Sequence, residues 1–384
     1  MKIIFAIVSV YLMTINVMAA TPASEFGLYQ EVIQKIKEEA LYPTDDKHLL
    51  DGCLEGVVNV VDKSGGYFNE EEYASLYDTS KSAELGMSLF QRGSYFVIKT
   101  VMDDFPASKA GLRRGDKVLK IDGQTLKQMS LKDVNHELRG AANTKVKLSI
   151  LKKNSKTPVE IVLTRKLIDT DLITSKILKN NIAHIKITAF SQTTLHEILD
   201  DLELLHHQNH GKISGMILDL RDNLGGVLSS GIAVTSLFLP NDAVILNVQS
   251  RKKEDKKQYK NTPHDYDGLE DVARIEKMKF LKIIPLAILI NSESAGSSEI
   301  VASILQEYGR AIVVGTSSFG KDTFAAIIPL TTKPSAIKLA TARWTTPKGK
   351  SVWPNGVLPN MEVLDNIDGE DIQLQEALSV FDKK

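Results

Sequence analysis

One cysteine, two tryptophans and a net charge of only −1 mark what this 384-residue chain lacks. With Cys53 alone, no intramolecular disulfide forms and no zinc site can be built from cysteine pairs. Its neighbours Leu50, Gly52 and Leu54 suggest a buried helical position, so a packing role is expected. Basic and acidic residues number 47 and 48, which leaves no overall field for nucleic acid, and no basic face stands out. No nucleic-acid partner is expected. Long apolar runs are missing beyond residue 20: Ile283 to Ile290 is too short to cross a bilayer. The length calls for two or three modules, and a 43% hydrophobic, 25% charged composition is that of an ordinary globular chain.

The strongly apolar stretch stands at the start. Lys2, then Ile3 to Val17, then Met18-Ala19-Ala20 has the charged start, apolar body and small-residue cut site of a secretory signal peptide. Cleavage after Ala19 or Ala20 and an exported, periplasmic location are expected. No cysteine lies near the cut site, so a lipid anchor is not.

Periodicity then changes three times. Leu28, Val32, Ile33 and Ile36, followed by Leu49, Leu54, Val57, Val58 and Val61, recur at helical spacing, and Glu70 opens another short helix. From Leu85 to Ile168 short strands dominate, at Ser94–Ile98, Val118–Ile121, Val146–Ile150 and Val159–Leu163, with helices near Ser108 and over Leu131–Leu138. Beyond Ile168, strands over Ile182–Ile187, Ser214–Leu220, Leu286–Ile290 and Ala311–Val314 alternate with helices over Leu195–Leu205, Ser229–Phe238 and Ser297–Tyr308. That order implies crossover units and a largely parallel sheet. The expected boundaries are 1–20 signal peptide, 21–84 helical segment, 85–168 strand-rich domain, 169–365 α/β core and 366–384 C-terminal helix.

Several tempting features read as structure. His206, His207 and His210 end a helix with no carboxylate or cysteine to complete a metal set, and the mixed charges of Arg251 to Lys257 suit a solvated loop. No metal or other cofactor is expected. Asp219 belongs to a buried strand and Asp222 to a turn; Trp344 and Trp353 are expected to pack. Neither a Gly-x-Ser-x-Gly elbow nor a His-Glu-x-x-His helix occurs.

Two sets of motifs carry chemistry. Ala107-Ser108-Lys109-Ala110-Gly111-Leu112 and Gly115-Asp116-Lys117-Val118-Leu119-Lys120-Ile121-Asp122-Gly123 resemble a PDZ domain. The resemblance assigns peptide binding to Leu85, Gly86, Met87, Ser88 and Leu89, expected as a loop before the first strand with amides free for a terminal carboxylate. The second set is Asp219-Leu220-Arg221-Asp222-Asn223-Leu224-Gly225-Gly226, Asn291 to Ile300, Phe319-Gly320-Lys321 and Gly356-Val357-Leu358-Pro359-Asn360. Together they identify the chain as a member of the C-terminal processing (tail-specific) peptidase family over nearly its whole mature length.

The resemblance implies a mixed α+β architecture: the N-terminal helical segment, the PDZ domain and a ClpP/crotonase-like α/β peptidase core. It implies a serine nucleophile, a neutral lysine base oriented by glutamine, backbone amides for the oxyanion, and polypeptide substrates with free C-terminal tails. A homo-oligomer is left open. Carried over residue by residue, Lys321 matches the base and Gly225 an oxyanion amide. The nucleophile's place, three residues before Glu299, is Gly296, and the glutamine's place is Ala325. Two readings follow: a peptidase using a displaced serine, Ser297 ahead of Ser294, or a silent relative that binds tails or regulates a homologue. A one-residue shift at a helix start turns the side chain by about 100°, which counts against the first.

Overall fold

Three segments differ in hydrophobic period, and two of them fold around cores of their own. The chain is represented by a computed structural model that describes residues 23–42, 44–76, 83–93, 95–102, 105–127, 129, 131–153, 155–167, 172–251, 256–266, 268–364 and 370–382. The proposed signal segment 1–20 and most of the 251–257 charge run lie outside the described residues. Helix α1 spans Ala23–Glu39 and α2 spans Asp46–Val61, with Asp45 capping α2 by accepting from His48 N at 2.8 Å. Strand β1 (Gly66–Phe68) and helix α3 (Glu70–Ser75) follow, α3 closed by a reciprocal Asn69–Glu72 capping box. The helical spacing holds, but Leu28, Val32 and Ile36 lie at the surface, Leu28 at 61% exposure. Cys53 is half-buried rather than buried.

The second unit contains β2 (Ala83–Glu84), β3 (Met87–Arg92), β4 (Tyr95–Val101), α4 (Pro106–Lys109), β5 (Lys117–Ile121), β6 (Gln124–Thr125), α5 (Leu131–Leu138), β7 (Lys145–Leu151), β8 (Val159–Thr164) and β9 (Lys166–Leu167). Its antiparallel sheet runs β3-β4-β5-β7-β8, with β6 paired to β5. Phe96, Ile98, Val118, Val134 and Leu148 fill its core. Strand β2 pairs with β9, so the chain enters and leaves this unit side by side, as an inserted domain requires. One expectation needs correcting. Met87, Ser88 and Leu89 are not a loop before the first strand; they open β3, because Leu89 alternates inward and joins Leu85 in the core. The bend falls one residue earlier, at Gly86, whose φ is +73° and whose Cβ, if present, would lie 2.0 Å from Phe105.

The third unit holds β10 (Ile173–Leu178), β11 (Ile182–Ile187), α6 (Thr194–Gln208), β12 (Gly215–Asp219), α7 (Leu228–Ser236), β13 (Val244–Ser250), β14 (Lys257–Lys260), α8 (Val272–Lys277), β15 (Leu286–Ile290), α9 (Ser297–Glu307), β16 (Ile312–Gly315), β17 (Thr323–Pro329), β18 (Ala336–Thr345), β19 (Met361–Glu362) and α10 (Ile372–Ser379). The main sheet runs β10-β11-β12-β15-β16-β19, parallel except for the β10–β11 pair. Strands β12 and β15 are buried at every position, the signature of a sheet covered on both faces. A second sheet, β1-β18-β13-β14 with β17 on β18, was not expected from the sequence. Its strand β17 is largely exposed, β18 is mostly half-buried, and neither shows a clean apolar alternation, which hid them. Gly66–Phe68 pairs with Ala336–Lys338, so the N-terminal segment contributes a strand to this unit.

An ion-pair network closes the sheet's carboxyl end. Arg221 donates to Asp219 at 2.6 and 2.9 Å and to Asp371, which caps α10, at 2.7 and 2.9 Å; His184 Nε2 lies 3.3 Å from Asp219. Burial raises the Asp219 carboxyl's pKa, but bonds from Arg221 and His184 outweigh it and hold the group well below the usual range. A depressed carboxylate contributes stability above its unfolded value that is lost as pH falls through the carboxylate range. We expect Arg221→Ala to cost about 3–5 kcal/mol in urea unfolding at neutral pH, since it strands a buried charge. The deficit should shrink in acid as Asp219 protonates; an equal loss at every pH would show that the pair is not the cause.

Candidate active site

Three loops at the carboxyl end of the parallel strands converge: 220–227 after β12, 291–296 after β15, and 316–322 after β16. Polar side chains tie them together. Asn291 and Asp222 exchange two hydrogen bonds, Asn291 Nδ2 to Asp222 Oδ1 at 2.9 Å and Asp222 N to Asn291 Oδ1 at 3.0 Å. Ala295 N donates to Asn223 O at 2.9 Å, and Phe319 N to Ser294 O at 3.0 Å. Gly225 must be glycine: a Cβ there would sit 2.8 Å from Ala295 O and 3.0 Å from Ser297 N.

Glu299, on the first turn of α9 and fully buried, joins two of these loops. Its carboxylate accepts from Gly296 N at 3.0 Å, Gly320 N at 2.6 Å, Lys321 N at 2.8 Å and Ser318 Oγ at 2.5 Å. Charge near a helix N-terminus and four donors make this burial tolerable. The sequence reading used Glu299 only as a ruler for locating position 296; its place three residues into a helix after the turn could have marked the role.

Lys321 therefore has its backbone fixed by Glu299, and its carbonyl accepts from the buried Trp344 indole at 3.2 Å. Its half-buried Nζ makes no hydrogen bond or ion pair among the described residues. Desolvation, then repulsion from Lys338, lowers its pKa from the ordinary lysine value. Ala325 lies exposed on β17 at a bulge, where no glutamine is present to orient that amine.

At the nucleophile's place, Gly296 has φ +56° and ψ −112°, a backbone conformation strained for any L side chain. A Cβ would nevertheless fit, with nothing nearer than 3.8 Å. The neighbouring hydroxyls point elsewhere. Ser297 Oγ lies 3.3 Å from Val227 O and 3.4 Å from Gly226 O, packed towards Gly231 of α7. Ser294 Oγ donates to Leu220 O at 2.8 Å, and Ser298 Oγ to Asn223 O at 3.0 Å.

The expected oxyanion donor needs correcting as well. Gly225 N donates to Asn223 Oδ1 at 2.8 Å, an Asx-type turn that consumes this amide. Among the described residues, the amides of Gly226 and of Ser297, the residue after Gly296, are left without an acceptor, as is that of Leu224. Trp353, expected to pack, is 59% exposed, whereas Trp344 is buried. Asp219 and Asp222 take the strand and turn roles read from the sequence. Among the described residues no cluster of ligands could hold a metal.

The PDZ strand β3 pairs on one side only, with β4, and its other side faces α5, so Met87 and Ser88 lie on an edge able to take an extended peptide. Among the described residues, one ion pair joins this domain to the site: Lys99 of β4 lies 2.7 Å from Glu293, three residues before Gly296.

Two outcomes test this geometry. Glu299→Gln replaces half of a four-fold acceptor with a donor and should cost about 3 kcal/mol, with hydrogen exchange rising at 296 and 320–321. Undiminished protection there would remove the clamp from the account. Lys338→Met should raise the Lys321 pKa, so Lys321 acylation at mildly alkaline pH, followed by peptide mass mapping, should slow several-fold. An unchanged rate would mean that Lys338 does not act on it.

Residues 181–363 match the model of peptidase family S41, and residues 97–152 match a PDZ domain model. The carboxyl-terminal-processing protease of Synechocystis is 30% identical, over 81% of this chain and 71% of its own length. The carboxy-terminal-processing protease of Bartonella bacilliformis is 28% identical, over 98% and 86%. In fold, the chain is similar to a photosystem II D1 C-terminal processing protease, with TM-score 0.62 and 20% identity over 88% of each chain. It also resembles a putative S41 protease from Bacteroides fragilis, with TM-score 0.53 and 17% identity over 90% and 92%. The converging turns, the retained lysine and these likenesses agree: the chain belongs to peptidase family S41, with a PDZ domain inserted before the peptidase core.

Proposed function

We propose that this chain is a catalytically silent member of its family that binds exported polypeptides by their free C-terminal tails, through the PDZ edge at β3. It acts as an adaptor or as a regulator of an active homologue. The observation that carries this reading is at position 296: glycine offers no hydroxyl, and the hydroxyls of Ser294, Ser297 and Ser298 lie against backbone carbonyls. Moving Ser297 into reach of Lys321 would require unwinding the first turn of α9, which Glu299 holds at Gly296 N. Lys321 without a serine is an amine with no proton to take. The location outside the cytoplasm rests on the signal-like residues 1–20.

Purified mature protein should leave an unstructured substrate with an apolar C-terminus uncut, yet bind the same tail as a free acid and not as its C-terminal amide. Gly296→Ser should gain slow cleavage, because space exists for the side chain and only backbone strain of about 1–2 kcal/mol opposes it. Adding Ala325→Gln should raise that rate further, on the order of 10²-fold. Cleavage by the unaltered chain that disappears in Ser297→Ala would establish the displaced-serine peptidase instead.

A further inference from the structure

Charge in this chain is segregated, although its total nearly cancels. Residues 85–167 hold 17 basic and 7 acidic side chains, while the rest of the chain holds 30 and 41. The expectation that no basic face exists fails once folding groups these residues. The β7–β8 hairpin lies against the turn between α4 and β5: Lys152 Nζ donates to Gly111 O at 2.7 Å, and Lys153 N to Asp116 Oδ1 at 2.9 Å. Lys109, Arg113, Arg114, Lys152, Lys153 and Lys156 thereby gather at one end of the domain. Lys117 flanks them, its Nζ 4.9 Å from the centre of the Tyr95 ring.

Among the described residues, none of these seven cations has a carboxylate ion-pair partner. The domain's ion pairs use other residues: Lys99–Glu293, Arg139–Glu84 and Lys147–Glu160. The one described carboxylate within the cluster, Asp116, is 4% exposed and accepts the backbone amides of Arg113 and Lys153. The hairpin leads into β8, at the opposite edge of the sheet from β3, so this surface is separate from the peptide edge.

We propose that this end of the PDZ domain docks on an anionic phospholipid bilayer. Five of the seven cations are lysines, flexible point charges that suit a diffuse anionic plane better than a fixed peptide carboxylate, which favours a bidentate arginine fork. Tyr95, 44% exposed beside Lys117, has the amphipathic ring that settles at headgroup level. The acidic remainder of the chain is repelled by the same surface, so the molecule orients with the basic end inward.

Co-sedimentation of the whole chain with vesicles of phosphatidylcholine alone, or of phosphatidylcholine mixed with phosphatidylglycerol, tests this. Binding should require phosphatidylglycerol and weaken steeply with salt. Arg114→Gln/Lys153→Gln/Lys156→Gln should lower partitioning about a hundredfold, roughly fivefold per cation removed. Lys145→Gln/Lys176→Gln/Lys212→Gln, an equal charge loss elsewhere, should lower it little. All three residues of the first variant are exposed, and unchanged binding of a tail peptide would show that its domain is folded. Equal loss in both triple variants, binding to phosphatidylcholine alone, or binding to polyglutamate or RNA without binding to vesicles would each overturn the proposal.

Discussion

A buried carboxylate organises this molecule's site. Glu299 accepts from the backbone of Gly296, Gly320 and Lys321 and from the hydroxyl of Ser318. Two of the loops that would bring nucleophile and base together in a peptidase are thus one electrostatic unit. Ser318 extends it by accepting from Val357 N at 2.6 Å, so the Gly356-Val357 turn is held by the same charge. None of these contacts needs a side chain at position 296, so the framework stands with glycine there.

Position 296 is also held at a positive φ. In a catalytic serine, a φ of +56° would store strain of a kind commonly found at active sites. Glycine adopts it at little cost. What remains is a desolvated lysine, amides without acceptors and a PDZ domain tied to the same turn by Lys99 and Glu293.

The PDZ domain adds a second polarity. It carries most of the chain's uncompensated positive charge on an inserted module, while the helical segment and the core are acidic. Strand β3, the peptide edge, and strand β8, which the basic hairpin leads into, are the opposite edges of one six-stranded sheet. Both can therefore be occupied at once, which would place a captured tail and the Lys99–Glu293 contact at a defined orientation to the docked surface.

Much of this was legible from residue order alone. Alternation and helical spacing located the helices and the parallel strands, because a sheet buried on both faces needs continuous apolar runs such as Leu286–Ile290. Short local motifs identified the PDZ turns, Lys321 and the glycine at 296, since these depend on neighbours a few residues apart. Strands β17 and β18 are harder to read because neither has a fully buried face, and the partner Gly66–Phe68 lies far away in sequence. Side-chain direction was likewise beyond reach: that Asn223 takes the Gly225 amide, that Ser297 turns towards Gly231, and that Glu299 clamps two loops depends on three-dimensional neighbours. Residue order decided which atoms the chain possesses, including the absent hydroxyl; only tertiary packing decided where the remaining ones point, because hydrogen bonds are chosen by distance in space.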